Sequence, residues 1–231
     1  MKVLAIESSC DDTSIAIVND DKSVEFLETI NHRKFHKDLG GVIPEMAARQ
    51  HLEILDTLAK SIKKINFSKI SAIAATFGPG LIGGLIVGSS FAKGLSISKN
   101  VELVPINHLQ AHLLSPRLVS EIKFPYLCLL VSGGNTALVL VKNSKSFITL
   151  GSTIDDSAGE CFDKVAKGLG LGYPGGPEIE RLAIGGNIER FELPMPLTKK
   201  NNCEFSFSGL KTAALNTLSL IHISEPTRQA S

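Results

Sequence analysis

Val3-Leu4-Ala5-Ile6-Glu7-Ser8-Ser9-Cys10-Asp11-Asp12-Thr13-Ser14-Ile15-Ala16-Ile17-Val18 is the stretch whose reading decides the fold. Val3–Ile6 is a short apolar strand. Glu7–Thr13 is a polar turn rich in hydroxyls and carboxylates, and Ser14–Val18 is the return strand. The pattern recurs in the second half. Tyr126–Val131 is apolar, Ser132-Gly133-Gly134-Asn135-Thr136 is a tight polar turn, and Ala137–Val141 returns. Apolar strand, small polar turn ending in threonine, apolar strand: this is a weak internal repeat. The Ser-Gly-Gly turn is expected to allow unusual φ values and to present unblocked N–H groups, a phosphate cradle. An ordinary hairpin is the plainer reading.

Facing hairpins from duplicated lobes are the phosphate-gripping device of the actin-like ATPase fold, so the expected class is α/β with that architecture. Outward from the first hairpin, a third strand is expected in Ser23–Ile30. Asn31-His32-Arg33-Lys34-Phe35-His36-Lys37 is the most basic segment. It reads as a solvated loop or as a contact for RNA phosphates or an anionic substrate. Gly40-Gly41-Val42-Ile43-Pro44-Glu45 opens a helix with Pro44 in its first turn. Met46, Ala47, Leu52, Ile54, Leu55, Leu58 and Ile62 give this helix an apolar face. Glu45, Arg49 and His51 are expected to face a cleft or water. Ile70–Ala75 is a strand running into Thr76-Phe77-Gly78-Pro79-Gly80 and a small-residue helix from Leu81. That turn could bring amides to an anion, or its glycines, with 83, 84 and 88, could serve helix–sheet packing.

Glu102–Ile106 is a strand that delivers the chain to Asn107-His108-Leu109-Gln110-Ala111-His112. Two imidazoles four residues apart share one helical face, one turn apart. That spacing lets both bind one metal ion; two polar residues on a surface helix is the alternative. In the second half, Ser157 with Glu160 fits a capping box. Asp163 falls beside the buried face of that helix. Tyr173-Pro174-Gly175-Gly176-Pro177 is a rigid turn into a helix starting at Pro177-Glu178, and its backbone at Gly175 and Gly176 could approach a ligand. Phe205-Ser206-Phe207-Ser208-Gly209-Leu210-Lys211 reads as a strand running into a capped helix.

The 231 residues are enough for two compact lobes, and 43% hydrophobic content indicates a well-filled core. A net charge of +1 supplies no general affinity for nucleic acid; a local basic patch would have to. Cys10, Cys128, Cys161 and Cys203 form no CxxC pair, so reduced, mostly buried thiols of a cytosolic protein are expected. The run Leu81–Ala92 is too short to span a bilayer. No secretory or transit segment precedes the first strand, so the expected location is the cytoplasm.

Taken together, IESSCDDTSIAI, HKDLGGVIPE, TFGPGL, NHLQAH, LVSGGNT, IDDSAGECFDKVAKGLGLGYPGGP and FSFSGLKT resemble, in order and spacing, the tRNA N6-adenosine threonylcarbamoyltransferases, once labelled O-sialoglycoprotein endopeptidases. The resemblance implies an N-terminal actin-like lobe over 1–106, a connecting helical segment with the HxxxH over 107–125, and an incomplete C-terminal lobe over 126–218. It implies one divalent metal held by His108 and His112, iron foremost and zinc as the alternative. Threonylcarbamoyl-AMP or ATP would be the nucleotide ligand. The positions matching the family's ligand-binding residues are Leu130, Val131, Ser132, Gly133, Gly134, Asp163 and Gly176. The implied reaction passes the threonylcarbamoyl group to N6 of adenine 37 in tRNAs reading ANN codons. Implied partners are tRNA, an upstream threonylcarbamoyl-AMP synthase and, in bacteria, a non-catalytic paralogue and a small ATPase, with no membrane. The peptidase label fits poorly, because a zincin helix needs Glu directly after the first His and Leu109 stands there.

The sequence departs from the family in two ways. Full members are about half as long again; the remainder would carry the adenosine-binding Gly-Gly…Asn loop and an Asp that is the metal's third protein ligand. Residues 219–231 resemble translated sequencing-adapter read-through. Two rival readings stand beside the transferase: a catalytically inactive actin-like scaffold that binds a partner, and a small-molecule phosphotransferase on the same fold.

Overall fold

The computed structural model describes residues 1–31, 43–62 and 66–224. The basic segment His32–Lys37, the Gly40-Gly41 entry to the first helix and the last residues of the tail, 225–231, lie outside the described residues. The chain divides into two compact units, Met1–Glu121 and Ile122–Ser231.

The first unit is a five-stranded mixed sheet with helices against it. In chain order it has β1 (Lys2–Glu7), β2 (Asp12–Asn19), β3 (Val24–Asn31), α1 (Pro44–Ile62), β4 (Ala72–Gly78), α2 (Ile82–Lys99), β5 (Glu102–Asn107), α3 (His108–Leu114) and α4 (Pro116–Val119). The strand order is β3-β2-β1-β4-β5. β1 pairs antiparallel with β2, from Lys2↔Asn19 to Glu7↔Ser14, and parallel with β4, from Val3↔Ala72 to Ile6↔Ala75. Alternation along β1 and β2 sends Leu4, Ile6, Ile15 and Ile17 to the core, where they meet Leu55 and Leu58 of α1 and Ala92 of α2. β4 is central and parallel, and Ala72 to Thr76 are all buried. This is why it reads as a near-continuous apolar run rather than an alternating one. Truncating a fully buried leucine here, such as Leu4, costs about 2–5 kcal/mol.

The second unit repeats the same opening order, three antiparallel strands and then a helix. It contains β6 (Tyr126–Val131), β7 (Thr136–Asn143), β8 (Ser146–Ser152), α5 (Ala158–Gly168), α6 (Gly175–Ala183) and α7 (Ser208–Ser224). The sheet order is β6-β7-β8, with Tyr126↔Val141 through Val131↔Thr136 in the first pairing. One face buries Leu130, Val139 and Val141, and α5 buries Ala158, Cys161 and Ala166. The opposite face leaves Leu127, Leu129 and Val131 at 61%, 56% and 53% exposure.

Four sequence expectations are corrected. β8 was not foreseen; a strand of Ser, Gly and Thr around Phe147, Ile148 and Leu150 carries a weak apolar pattern. Phe205–Phe207 is no strand: a single parallel bridge, Thr153↔Phe205, is all it contributes. α6 begins at Gly175, two residues before Pro177. The cysteines are free but not mostly buried: Cys161 is buried, Cys128 intermediate, and Cys10 and Cys203 are exposed. α7 runs without a break across residue 218 to Ser224.

Candidate functional site

Asn107 ends β5 and caps α3, its Oδ1 accepting from the Gln110 amide at 3.0 Å. The cap fixes the first helical turn at His108, so His112 falls one turn further along the same face. The two Nε2 atoms converge to 3.2 Å, with ring centroids 4.5 Å apart and planes at 82°. Two nitrogens each about 2.0–2.1 Å from one ion, in tetrahedral or octahedral arrangement, lie about 2.9–3.4 Å apart. The observed separation fits a shared ion. His112 is held below the usual histidine pKa, first by loss of water around the ring and then by neighbouring His108. That favours the neutral form that metals require. Among the described residues no group of three or more His, Cys, Asp or Glu side chains is placed to hold a metal. The pair alone leaves coordination positions open. An open concavity of about 410 Å³ adjoins it, lined by Glu7, His108, His112, Ser115 and Leu118 among others.

The ring of His108 rests on the first hairpin. Its Nδ1 lies 3.2 Å from Glu7 Oε2 and 3.0 Å from Ser9 Oγ. The Glu7 carboxylate also accepts from the Ser9 amide at 2.5 Å and from the Thr76 hydroxyl. Burial opposes the charge on Glu7, but the bonds from His108, Ser9 and Thr76 outweigh it and hold the carboxyl at about 2. Glu7, Ser9 and Thr76 are therefore part of the site, and the sequence reading did not single them out. Thr76 ends the apolar run of β4, and that hydroxyl after Ala72–Ala75 was the available signal.

The remainder of this hairpin tip is occupied by protein. Ser8 Oγ donates to the Gly84 carbonyl at 3.0 Å, and the Leu81 amide donates to the Ser9 carbonyl at 2.7 Å. A Cβ at Gly84 would stand 2.3 Å from the Ser8 carbonyl oxygen, and one at Gly88 would stand 2.0 Å from Ser8 Oγ. The glycines of α2 thus serve helix–sheet packing, and the first amide after Gly80 is spent on the hairpin rather than left for an anion. His51 faces neither cleft nor water: it is fully buried, its Nε2–H donating to the Cys10 carbonyl at 3.0 Å and its Nδ1 accepting from Thr13 Oγ1 at 2.8 Å. Glu45 and Arg49 pair with each other on the exposed face at 2.7 Å. Cys10 is no thiolate at neutral pH: desolvation, then the Asp11 charge, push its thiol up to about 12.

The second hairpin differs. Ser132 closes its own turn, its amide donating to the Asn135 carbonyl at 2.8 Å and its Oγ accepting from the Asn135 amide at 3.0 Å. Neither Gly133 nor Gly134 adopts a positive φ, so the expected unusual backbone is absent. A Cβ at either would meet nothing within 4 Å, and neither amide donates to a described residue. The N-terminus of α5 is pressed on this turn. Ser157 caps the helix by accepting from the Glu160 amide at 3.1 Å and donates to the Gly133 carbonyl at 2.6 Å, while a Cβ at Gly159 would stand 2.5 Å from the Ser132 carbonyl oxygen. One turn on from Gly159, Asp163 accepts from the Gly175 amide at 2.7 Å, which fixes the start of α6. A Cβ at Gly175 would stand 2.4 Å from Ala166 Cβ, while at Gly176 the nearest atom is 3.9 Å away. Leu130 is buried and Val131 exposed.

Two sequence motifs turn out to be one clamp. Asp155 accepts from Ser206 Oγ and from the Phe207 and Ser208 amides at 2.5, 2.7 and 3.3 Å, capping α7. Asp156 binds Lys211 at 2.6 Å and Lys164 at 3.0 Å. Lys211 is thus held by the protein. The His pair lies in the first unit, and Ser132–Gly134, Asp163 and Gly176 lie in the second.

Comparison with known proteins places the chain. Two solved structures share its fold: a ROK family protein from Streptococcus pneumoniae TIGR4 in complex with sucrose and component A of the Acidaminococcus fermentans (R)-2-hydroxyglutaryl-CoA dehydratase. The first has TM-score 0.52 and 18% identity, over 81% of this chain and 69% of that one. The second has TM-score 0.50 and 13% identity, over 95% and 69%. The class is the α/β actin-like ATPase fold. Within that class, residues 25–228 match the family described as tRNA N6-adenosine threonylcarbamoyltransferase, and the chain belongs to it. The match runs past residue 218 into the segment expected to leave the family. Relatives bearing that name include one from Wolbachia pipientis wMel, 51% identical over 96% of this chain and 67% of its own length. Another, from Gluconobacter oxydans, is 49% identical over 97% and 62%. The chain spans about two thirds of the length of these relatives. The family modifies tRNA by acyl transfer, which favours the transferase reading over the scaffold and the phosphotransferase. Among the described residues no helix is long and apolar enough to cross a membrane.

Proposed function

We propose that this chain supplies the metal-holding and phosphate-holding surfaces of a transferase that moves the threonylcarbamoyl group from threonylcarbamoyl-AMP to N6 of adenine 37 in tRNAs reading ANN codons. The observation that carries this reading, given family membership, is the 3.2 Å convergence of the His108 and His112 Nε2 atoms. N6 attacks the carbamoyl carbon of a mixed anhydride. The C–N bond forms, the C–O bond to phosphate breaks, AMP leaves with the electron pair, and N6 loses a proton. His108 and His112 would hold an iron or zinc ion, which when bound supplies Lewis acidity to the carbamoyl group. The Gly133 and Gly134 amides, with open space beside them, take the phosphate charge. Asp163 and Gly176 border the same turn-and-helix region, and Leu130, Val131 and Ser132 bring the backbone to it. No covalent enzyme intermediate is needed, consistent with a Cys10 thiol held protonated.

The reaction takes place in the cytoplasm, downstream of a threonylcarbamoyl-AMP synthase and with a non-catalytic paralogue and a small ATPase as protein partners. The test is direct. The chain, with these partners, is incubated with threonylcarbamoyl-AMP and unmodified tRNA, and the digested nucleosides are analysed by mass spectrometry. Threonylcarbamoyladenosine forms with the wild-type chain and is lost with His108→Ala. Equal product from both would overturn the assignment of the pair.

A further inference from the structure

We infer that Glu7 is a positioning residue for the metal pair: its carboxylate accepts from His108 Nδ1–H and thereby turns the lone pair of Nε2 toward His112. The inference rests on the reading of His108 and His112 as metal ligands. Three observations carry it. Glu7 Oε2 lies 3.2 Å from His108 Nδ1, on the ring side opposite the 3.2 Å approach of the two Nε2 atoms. A carboxylate accepts, and Ser9 Oγ, 3.0 Å from Nδ1 and 3.5 Å from Nε2, can accept or donate to suit, so the arrangement favours the hydrogen on Nδ1 and leaves Nε2 to ligate. The carboxylate itself is fixed by the Ser9 amide and the Thr76 hydroxyl, drawn from β1's turn and from β4. Its direction is therefore set by the sheet and not by the mobility of a glutamate side chain. Glu7 stands 101 residues before His108, so the fold, and not local sequence, brings a carboxylate behind the ligand. Carboxylates placed this way orient ligating histidines, and their loss costs about 10–100-fold in metal affinity.

The test uses the full chain and zinc alone as the probe, in competition with a chromogenic chelator, together with long-range proton–nitrogen correlation spectra of the metal-free protein. The wild-type spectra show His108 as the Nδ1–H tautomer. Glu7→Ala loses that signature and binds zinc about 10–100-fold more weakly. Glu7→Gln keeps an oxygen acceptor, retains the tautomer and recovers part of the affinity, which a merely structural role would not produce. Should Glu7→Ala fail to fold, the wild-type tautomer still decides: an Nε2–H form overturns the inference. His108→Ala separates the two levels. If it binds zinc like the wild type, the metal reading fails and takes this inference with it. If it loses zinc while Glu7→Ala does not, the metal reading stands and the role of Glu7 falls.

Discussion

The two hairpins begin from the same plan and finish differently. The first tip is filled: Ser8 and Ser9 bond α2 and its leading turn, Thr13 bonds buried His51, and Glu7 bonds His108. The second tip is packed on one side only: α5 bears on it through Ser157 and Gly159, while a Cβ at Gly133 or Gly134 would meet nothing within 4 Å and their amides donate to no described residue. Repetition of a pattern in sequence therefore does not imply repetition of a task. One turn is committed to orienting protein side chains, and the glycine amides of the other donate to no described residue.

The largest effect that could break this contrast lies at the metal pair. His108→Ala or His112→Ala should lower metal retention after dialysis by at least about 100-fold, since losing a ligand exceeds the loss of a residue that only orients one. Elemental analysis reads this, and unchanged content would remove the pair from the site. Next comes the packing of the first tip. Gly84→Ala puts a methyl 2.3 Å from the Ser8 carbonyl oxygen and 2.8 Å from His51 Nε2. Overpacking of about 1–3 kcal/mol then outweighs the roughly 1 kcal/mol that alanine gains as a helix former, and the melting temperature of the first unit drops.

A smaller effect belongs to the clamp in the second unit. Asp156 is held below the ordinary aspartate value of 3.8, first by the Lys211 hydrogen bond and then by that of Lys164. A carboxyl with a depressed folded pKa contributes stability that is fully present above the unfolded value near 3.8 and is lost as pH falls through the folded one. Asp156→Asn should cost about 1–2 kcal/mol at neutral pH, discounted for partial exposure, and should flatten the acid limb of a stability profile taken from about pH 5 to pH 2. The smallest effect is the sharpest control: Gly134→Ala should change stability by less than about 0.5 kcal/mol. A large loss there would mean the second tip is packed like the first.

Much of the fold is legible locally. Alternation gives β1, β2, β6 and β7, and the small-residue run gives α2. The spacing of His108 and His112 gives the pair, and Ser157 before Glu160 gives the cap of α5. Several of the misses share a cause: they depend on partners far along the chain. Nothing near Glu7 announces His108, and nothing near His51 announces that Thr13 and the Cys10 carbonyl will bury it. Asp155 and Phe207 belong to one clamp although 52 residues separate them. The Phe205–Phe207 segment carries strand-forming residues, yet after the single bridge at Phe205 the Phe207 amide goes to the Asp155 carboxylate instead of a ladder. Cys10 lies between carboxylates and hydroxyls at the hairpin tip and stays exposed, against the general expectation of burial for a reduced thiol.

The contrast between the tips is tested most directly by calorimetric titration of threonylcarbamoyl-AMP into the wild-type chain and into a Gly133→Val, Gly134→Val double variant. The account predicts that the variant melts within a few degrees of the wild type, since a Cβ at either position meets nothing within 4 Å, and binds the nucleotide at least about tenfold more weakly, a difference of 1.4 kcal/mol or more. Binding equal to the wild type would contradict it, because the second turn would then be an ordinary hairpin and the phosphate would be held elsewhere.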